Sequence, residues 1–450
     1  MKKLIFCLLT FVILISSPVA RAANDYDDSM DDAELAYLCA WVSLASYDDR
    51  LGLVARDELS AAGYSLTPYR EESAAAAPKY LMMRKFTNDG ERILLAVTGT
   101  ESKKDIENDL AFGKVPFAGK TPDEFAKEAR RKEMTASEPL VHKGFNDYTQ
   151  TAFFTRKSEG GETIGESLAT KLKANPSARL CVTGHSLGGA AAILLAARLI
   201  DMGVPSEQID VVTFGSPAVG NEAFAVAHKD MRLTRFVMSG DPVTSILQSV
   251  GADYTEFGEK IVYKQAKGLE RFPHDMVLYV DTMLRDYYTD GISGTFIPTD
   301  VYYETKKKSS AVYLVTTIDF DEKIAGDAPY LTLAQTALMR RQLPPIVLGA
   351  MPSAGKNADD VDADILSTIC ANARREGCDY VIIQYYEGRL MRDKKDTYKI
   401  SLSELVMRSD GTPLTINLYT TSTEKMTPII AALYDEVCAR ESRETAMRLK

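Results

Sequence analysis

Ser186 stands between glycines in LCVTGHSLGG (180–189), directly after a short apolar run and before AAAILLAARLI. A serine hydroxyl is a weak nucleophile. It needs a base within hydrogen-bond reach and an acid to orient that base. It also needs donors aimed at the oxygen that turns negative on attack. A G-x-S-x-G turn between a strand and a helix suits this chemistry, because the glycines allow close packing and the serine is presented at the helix start. The bland alternative is a Gly-rich turn whose serine caps a helix. That alternative requires no partners elsewhere in the chain, so the partners decide.

The chain has four histidines, His142, His185, His228 and His274. After an elbow of this kind the order is serine, acid, histidine, which excludes His142 and His185. His228 lies in EAFAVAHKDMR, on a helix-like face with no acid at a strand end before it. His274 lies in RFPHDMVLY, downstream of LTRFVMSGD, which ends in Asp241 and is followed by Pro242. A carboxylate at the C-terminal end of a strand is where α/β sheets carry functional groups. Proline after it cannot extend the ladder. The residues therefore point to Ser186 as nucleophile, His274 as base and Asp241 as orienting acid. One oxyanion donor is expected at the backbone N–H of Leu187, next after the serine. The second is assigned to Thr100, where LLAVTGT ends, with its hydroxyl able to help orient the site.

These residues need a scaffold. RLCVTG, IDVVTFG and LTRFVMSG are short β-branched runs ending in glycine, and a helical segment over 187–202 separates the first two. Nearly continuous apolar strands alternating with helices indicate a mostly parallel central sheet covered by helices on both faces. Upstream, AELAYLCAWVSLASY has helical spacing at Leu35, Leu38, Trp41, Val42 and Ala45. KYLMMRKF and RILLAVTGT flank Asn88-Asp89-Gly90 as two strands around a tight turn. The stretch Glu101–Glu138 is charged and turn-prone. Near Gly291–Asp300 the texture becomes Gly-, Pro- and Thr-rich, and the boundary is set there. Beyond it come a strand in SSAVYLVTTIDF and an amphipathic helix in DADILSTICANARREG that stops at Gly377. CDYVIIQYYEG and a hairpin around Asp410-Gly411 follow, then a closing helix over about 424–440. The expected division is a leader over 1–22, a hydrolase domain over 23–298 and a smaller C-terminal α/β domain over 299–450.

The leader reading rests on Lys2 and Lys3, an apolar run over residues 4–15 and the small-x-small pattern Ala20-Arg21-Ala22. That run is shorter than the ~20 residues needed to span a bilayer. Export is expected, to the periplasm or outside the cell, with Cys7 too early to carry a lipid. Removing the leader takes the net charge from −10 to −13. So acidic a chain argues against nucleic acid as a partner and offers no basic stripe to anionic lipid. The other five cysteines, Cys39, Cys181, Cys370, Cys378 and Cys438, form no disulfide framework and no C-x-x-C pair for zinc. One bridge in the C-terminal region is open, whereas Cys181 reads as a buried strand residue. The chemistry requires no metal and no organic cofactor. GRLMRDKKDTYK is a basic patch, read as a solvated turn with a cell-envelope contact as the alternative.

Taken in order, these segments resemble the class 3 (fungal-type) triacylglycerol lipases of the α/β-hydrolase fold over about residues 33–290. VTGTESKKDIENDL (97–110) is similar to the oxyanion strand and start of the lid, and VHKGF (141–145) to the segment after the lid. VTGHSLGGAAA is similar to the elbow and VTFGSPAVGNEAF (212–224) to the next strand and turn. RFVMSGDPV (235–243) and PHDM (273–276) would carry the acid and the base. The resemblance implies Ser186, Asp241 and His274 as the triad, with Thr100 and Leu187 at the oxyanion hole. It implies a lipid or small ester as substrate, with transient lipid-surface contact if a lid opens. Two departures stand out. The family often has Arg where this chain has Thr98, and the lid-like stretch offers Ile106 in place of a tryptophan. A polar lid counts against opening at an oil–water surface, so esterase and lipase both stay open. The other readings are a phospholipase or peptidase on the same elbow, or a catalytically silent protein that binds the cell envelope through its C-terminal domain.

Overall fold

The computed structural model describes residues 32–49, 64–100, 113–249, 253–264, 272–292, 311–322, 346–352, 363–391 and 397–424, with short gaps, and part of 52–59. The expected leader, the lid-like stretch 101–112, the boundary at 298/299, Cys438 and the closing helix lie outside them. Fourteen strands and nine helices of more than one turn are described. The strands are β1 (Ser65–Arg70), β2 (Lys79–Thr87), β3 (Gly90–Val97), β4 (Lys114–Pro116), β5 (Leu140–His142), β6 (Arg179–His185), β7 (Ile209–Phe214), β8 (Arg232–Met238), β9 (Glu259–Tyr263), β10 (Val312–Phe320), β11 (Ile346–Gly349), β12 (Tyr380–Leu390), β13 (Thr397–Arg408) and β14 (Pro413–Glu424). The helices are α1 (Asp32–Ala45), α2 (Pro122–Glu128), α3 (Lys143–Phe153), α4 (Ile164–Ala174), α5 (Leu187–Asp201), α6 (Glu222–Ala227), α7 (Ile246–Ser249), α8 (Met276–Ile292) and α9 (Ala363–Arg375).

Seven strands form one sheet in the order β1-β2-β3-β6-β7-β8-β9. The pairs β1–β2 and β2–β3 are antiparallel, and every pair from β3 to β9 is parallel. The apolar runs explain this. Ile93, Leu95 and Val97 of β3 join Leu180 and Val182 of β6 in one core, on the side of α3, α4 and α5. Leu94, Ala96, Cys181 and Phe214 point the other way, into a core shared with α1 and α8. A strand buried on both faces has no reason to alternate polar and apolar residues, so its run is continuous. This is the α/β-hydrolase architecture, with a mostly parallel sheet sandwiched between helical layers.

A second sheet has the order β11-β10-β12-β13-β14. Its first two pairs are parallel and its last two antiparallel. The expected hairpin is present, with Gly411 at φ 95° in the turn between β13 and β14. Helix α9 covers one face through Ile365, Ile369 and Ala373. It stops where expected, because Gly377 takes φ 74° and Cys378 N–H returns to the Ala373 carbonyl at 2.9 Å. On the opposite face Phe320, Tyr386, Ile400 and Leu402 are continuous with the apolar cluster of α1 and α8. The second sheet thereby shares an apolar cluster with those two helices. Cys370 and Cys378 are buried free thiols. No described helix is long and apolar enough to cross a membrane.

The described part of the charged stretch, residues 113–138, contains more order than its composition suggests. β4 pairs with β5 across it, and α2 is closed by Thr121, whose hydroxyl accepts from Glu124 N–H. Strand β9 is an edge strand with mostly exposed residues. Its apolar run is only Ile261-Val262-Tyr263, too short to read as a strand.

Candidate active site

The elbow is a strained turn. Ser186 has φ 59° and ψ −128°, and it is the one described non-glycine residue with positive φ. Such a conformation costs on the order of 1–3 kcal/mol and persists only where neighbours impose it. Here they do. Ser186 N–H donates to Phe214 O at 3.0 Å, and the next turn closes when Ala190 N–H donates to Ser186 O. Helix α5 starts at Leu187 and presses against the end of β3. A Cβ on Gly188 would lie 2.1 Å from the Val97 carbonyl oxygen, so only glycine fits. Ser186 makes no capping bond to its own helix. The bland reading of a capping serine therefore fails.

Asp241 lies three residues past the end of β8, beyond a turn at Gly240. Its carboxylate is fully buried and accepts three hydrogen bonds. His274 Nδ1–H donates to Oδ2 at 2.9 Å, Tyr279 O–H donates to the same oxygen at 2.6 Å, and Val243 N–H donates to Oδ1 at 2.9 Å. Asp241 thus also caps the short turn that follows it, so the turn role and the orienting role coincide in one side chain. Tyr279 lies on α8, five residues after His274, and accepts from Met238 N–H at 3.0 Å. Burial and the adjacent carboxylate push its hydroxyl well above the usual tyrosine range. It stays protonated and remains a donor.

With Nδ1 donating to a carboxylate, the neutral His274 ring carries its lone pair on Nε2. That nitrogen is buried and has no hydrogen-bond partner, so no bond to Ser186 Oγ is made. The structure brings Asp241 and His274 into direct contact and sets Ser186 beside them. The link is Gly215: a Cβ there would lie 2.8 Å from Asp241 Oδ2 and 3.0 Å from His274 Nδ1. Its neighbour Phe214 holds Ser186 N–H.

His185, excluded as the base, is part of the frame. Its ring lies 4.5 Å from that of His274 between centroids. Its Nε2 is 2.8 Å from the His274 carbonyl, and its Nδ1 is 2.8 Å from the Tyr47 hydroxyl. A carbonyl only accepts, so Nε2 carries the proton and Tyr47 O–H donates to Nδ1. Burial first, and the adjacent His274 second, lower its pKa well below 6.5. The unfolded chain takes up this proton near pH 6.5 and the folded one does not. Stability from this group is therefore full above about pH 6.5 and is lost as pH falls. Thermal denaturation between about pH 7 and pH 5 should show a melting temperature that falls on acidification, and falls less steeply in His185→Gln. Equal slopes in the two proteins would show that His185 is not held neutral.

The residues expected on the oxyanion side lie on two facing segments. Leu187 is the first residue of α5, where backbone N–H groups have no acceptor within the helix. Thr100 is half-buried and follows Gly99, whose added Cβ would approach Ser186 Cβ to 3.3 Å. The remaining histidines are elsewhere. His142 is buried and accepts from Phe145 N–H at the start of α3. His228 lies at the end of α6 against Asp201 at 3.3 Å. Tyr47 and Tyr279 are site residues that no sequence motif reveals. Among the described residues no group of three or more His, Cys, Asp or Glu could hold a metal ion.

Three kinds of similarity bear on this site. Residues 94–250 match the family model described as Lipase (class 3). The chain is 43% identical over 75 residues to a secreted mono- and diacylglycerol lipase of Fusarium solani, covering 17% of this chain and 22% of that protein. It is 42% identical over 90 residues to a lipase of Rhizomucor miehei, covering 19% and 22%. The chain thus spans about a fifth of the length of the curated relatives it matches. The solved lipase–propeptide complex of Rhizomucor miehei is 22% identical, with a TM-score of 0.39, over 53% of this chain and 72% of that one. The matched segment includes the expected oxyanion loop, the elbow and Asp241, and ends before His274. Over residues 94–250 the chain is thus similar to the class 3 lipases.

Proposed function

We propose that this chain is an exported serine ester hydrolase that cleaves acylglycerols or other carboxylic esters through an acyl-enzyme. The observation that carries the reading is the buried His274–Asp241 pair beside a serine held at positive φ. Ser186 Oγ attacks the ester carbonyl while His274 Nε2 takes its proton, and Asp241 keeps the imidazole in the Nδ1–H form. The N–H groups of Leu187 and Thr100 hold the oxyanion. His274 then gives its proton to the leaving alcohol, and water repeats the sequence to release the acid. The Ser186–His274 hydrogen bond is expected to form with substrate bound, since such bonds are often long in empty sites.

The family match over 94–250 and the lipase relatives support ester chemistry for the whole protein. Within this reading, 1–22 is a cleaved export leader, 23–298 the hydrolase and 299–450 a C-terminal domain. Destination in the periplasm or outside follows from the leader alone. The substrate is a lipid or small ester, met at a lipid surface if the lid-like stretch opens.

Hydrolysis of p-nitrophenyl esters from acetate to palmitate tests the substrate class. Because the lid-like stretch is polar, turnover is expected to peak on short or medium chains in solution. Activity confined to palmitate above its solubility limit would instead identify a lipase acting at interfaces. No hydrolysis across the series would contradict an ester hydrolase.

A further inference from the structure

We propose that Tyr148 is a positioning residue for the oxyanion side of this site, acting through the backbone of Thr98. The inference rests on the ester-hydrolase reading and on Thr100 as an oxyanion donor.

Thr98 is buried and every polar group it owns is engaged. Its N–H donates to Lys79 O at 3.0 Å, at the end of the β2–β3 ladder. Its hydroxyl donates to Ser46 O at 3.0 Å, just past α1. Its carbonyl accepts from the Tyr148 hydroxyl at 2.9 Å. The same phenol oxygen accepts from Lys79 N–H at 3.4 Å, so one side chain from α3 closes the open end of two strands. Three elements therefore hold one residue.

The consequence lies one step along the chain. The Thr98 carbonyl and the Gly99 N–H share a rigid peptide plane, so gripping the carbonyl sets the direction in which the loop leaves β3. Gly99 has no lateral freedom. A Cβ there would lie 2.4 Å from His185 O, 2.4 Å from the Tyr47 hydroxyl and 3.3 Å from Ser186 Cβ. A peptide gripped at 98 and confined at 99 delivers the N–H of Thr100 at a fixed angle beside the nucleophile. Such donors accelerate a reaction only when they are already aimed at where charge develops. Removing the phenol hydroxyl leaves a buried carbonyl without its donor and frees the plane to turn. Sequence alone gives no hint of this, because Tyr148 is one of 22 tyrosines and its partner is 50 residues away.

The test is Tyr148→Phe in the full chain, with p-nitrophenyl butyrate as substrate. Active sites are counted by titration with a p-nitrophenyl phosphonate. Because oxyanion donors act in the transition state, kcat per titrated site should fall roughly tenfold, with KM within about twofold of wild type. Phosphonylation should slow by a similar factor. Counting sites removes misfolded protein from the comparison, so a purely structural role would lower the yield and melting temperature but leave kcat per site unchanged. That result would overturn the proposal, as would a raised KM at unchanged kcat. Failure of the wild type to titrate at all would instead overturn the ester-hydrolase reading beneath it.

Discussion

Ser186→Ala is expected to lower ester turnover by roughly 10⁶, the size of loss seen when a nucleophile is removed from an intact triad. The effect should be confined to chemistry. Ser186 Oγ caps nothing, and the backbone bonds that hold the elbow come from Ser186 N–H and its carbonyl. Alanine keeps both and meets the same strain at φ 59° that serine meets. Substrate affinity and melting temperature should therefore stay near wild type. A variant that retained more than a few per cent of the activity would remove Ser186 from the mechanism. Such a result would return the elbow to being a tight turn.

Asp241→Asn should cost about 10⁴ in kcat with little change in KM. The reason is visible in the hydrogen bonds. Oδ2 accepts from both His274 and Tyr279, and Oδ1 accepts from Val243 N–H. An amide has one acceptor oxygen for these two positions. If its NH₂ takes the Oδ2 position, His274 must switch to the Nε2–H form and loses the lone pair that would take the serine proton. If its NH₂ takes the Oδ1 position, it meets a backbone donor that cannot reorient. Tyr279, held protonated by burial and the carboxylate, would likewise face a donor in the first case. The first arrangement disables the base, and the second strains the turn after Gly240. Steady-state kinetics beside a thermal melt separates the two. A loss of kcat below tenfold would show that Asp241 does not set the tautomer.

Much of this site is legible in the sequence because its parts are tied to backbone requirements. The elbow needs glycine beside Val97 O and again at the strand end, and such demands leave a local signature. Asp241 announces itself by following an apolar run and preceding proline. The histidine is found by elimination among four. The central strands are legible because burial on both faces makes their runs continuous. What escapes reading is what depends on tertiary proximity alone. Tyr47, Tyr148 and Tyr279 act through hydroxyls that meet partners 138, 50 and 38 residues away, and nothing local distinguishes them. β11 and β9 escape for another reason, being short edge strands with exposed residues. The C-terminal sheet is legible strand by strand, but the apolar cluster it shares with α1 and α8 is not. Phe320, Tyr386, Ile400 and Leu402 look like ordinary core residues until they are seen to share a cluster with Trp41 and Met283.

Whether Ser186 is the nucleophile is decided most plainly by mass spectrometry of the protein after reaction with a p-nitrophenyl phosphonate. One equivalent of phosphonyl adduct is expected on the intact chain, located at Ser186 after proteolysis, and none on Ser186→Ala. An adduct on any other residue, or an unmodified wild-type chain, would contradict the mechanism.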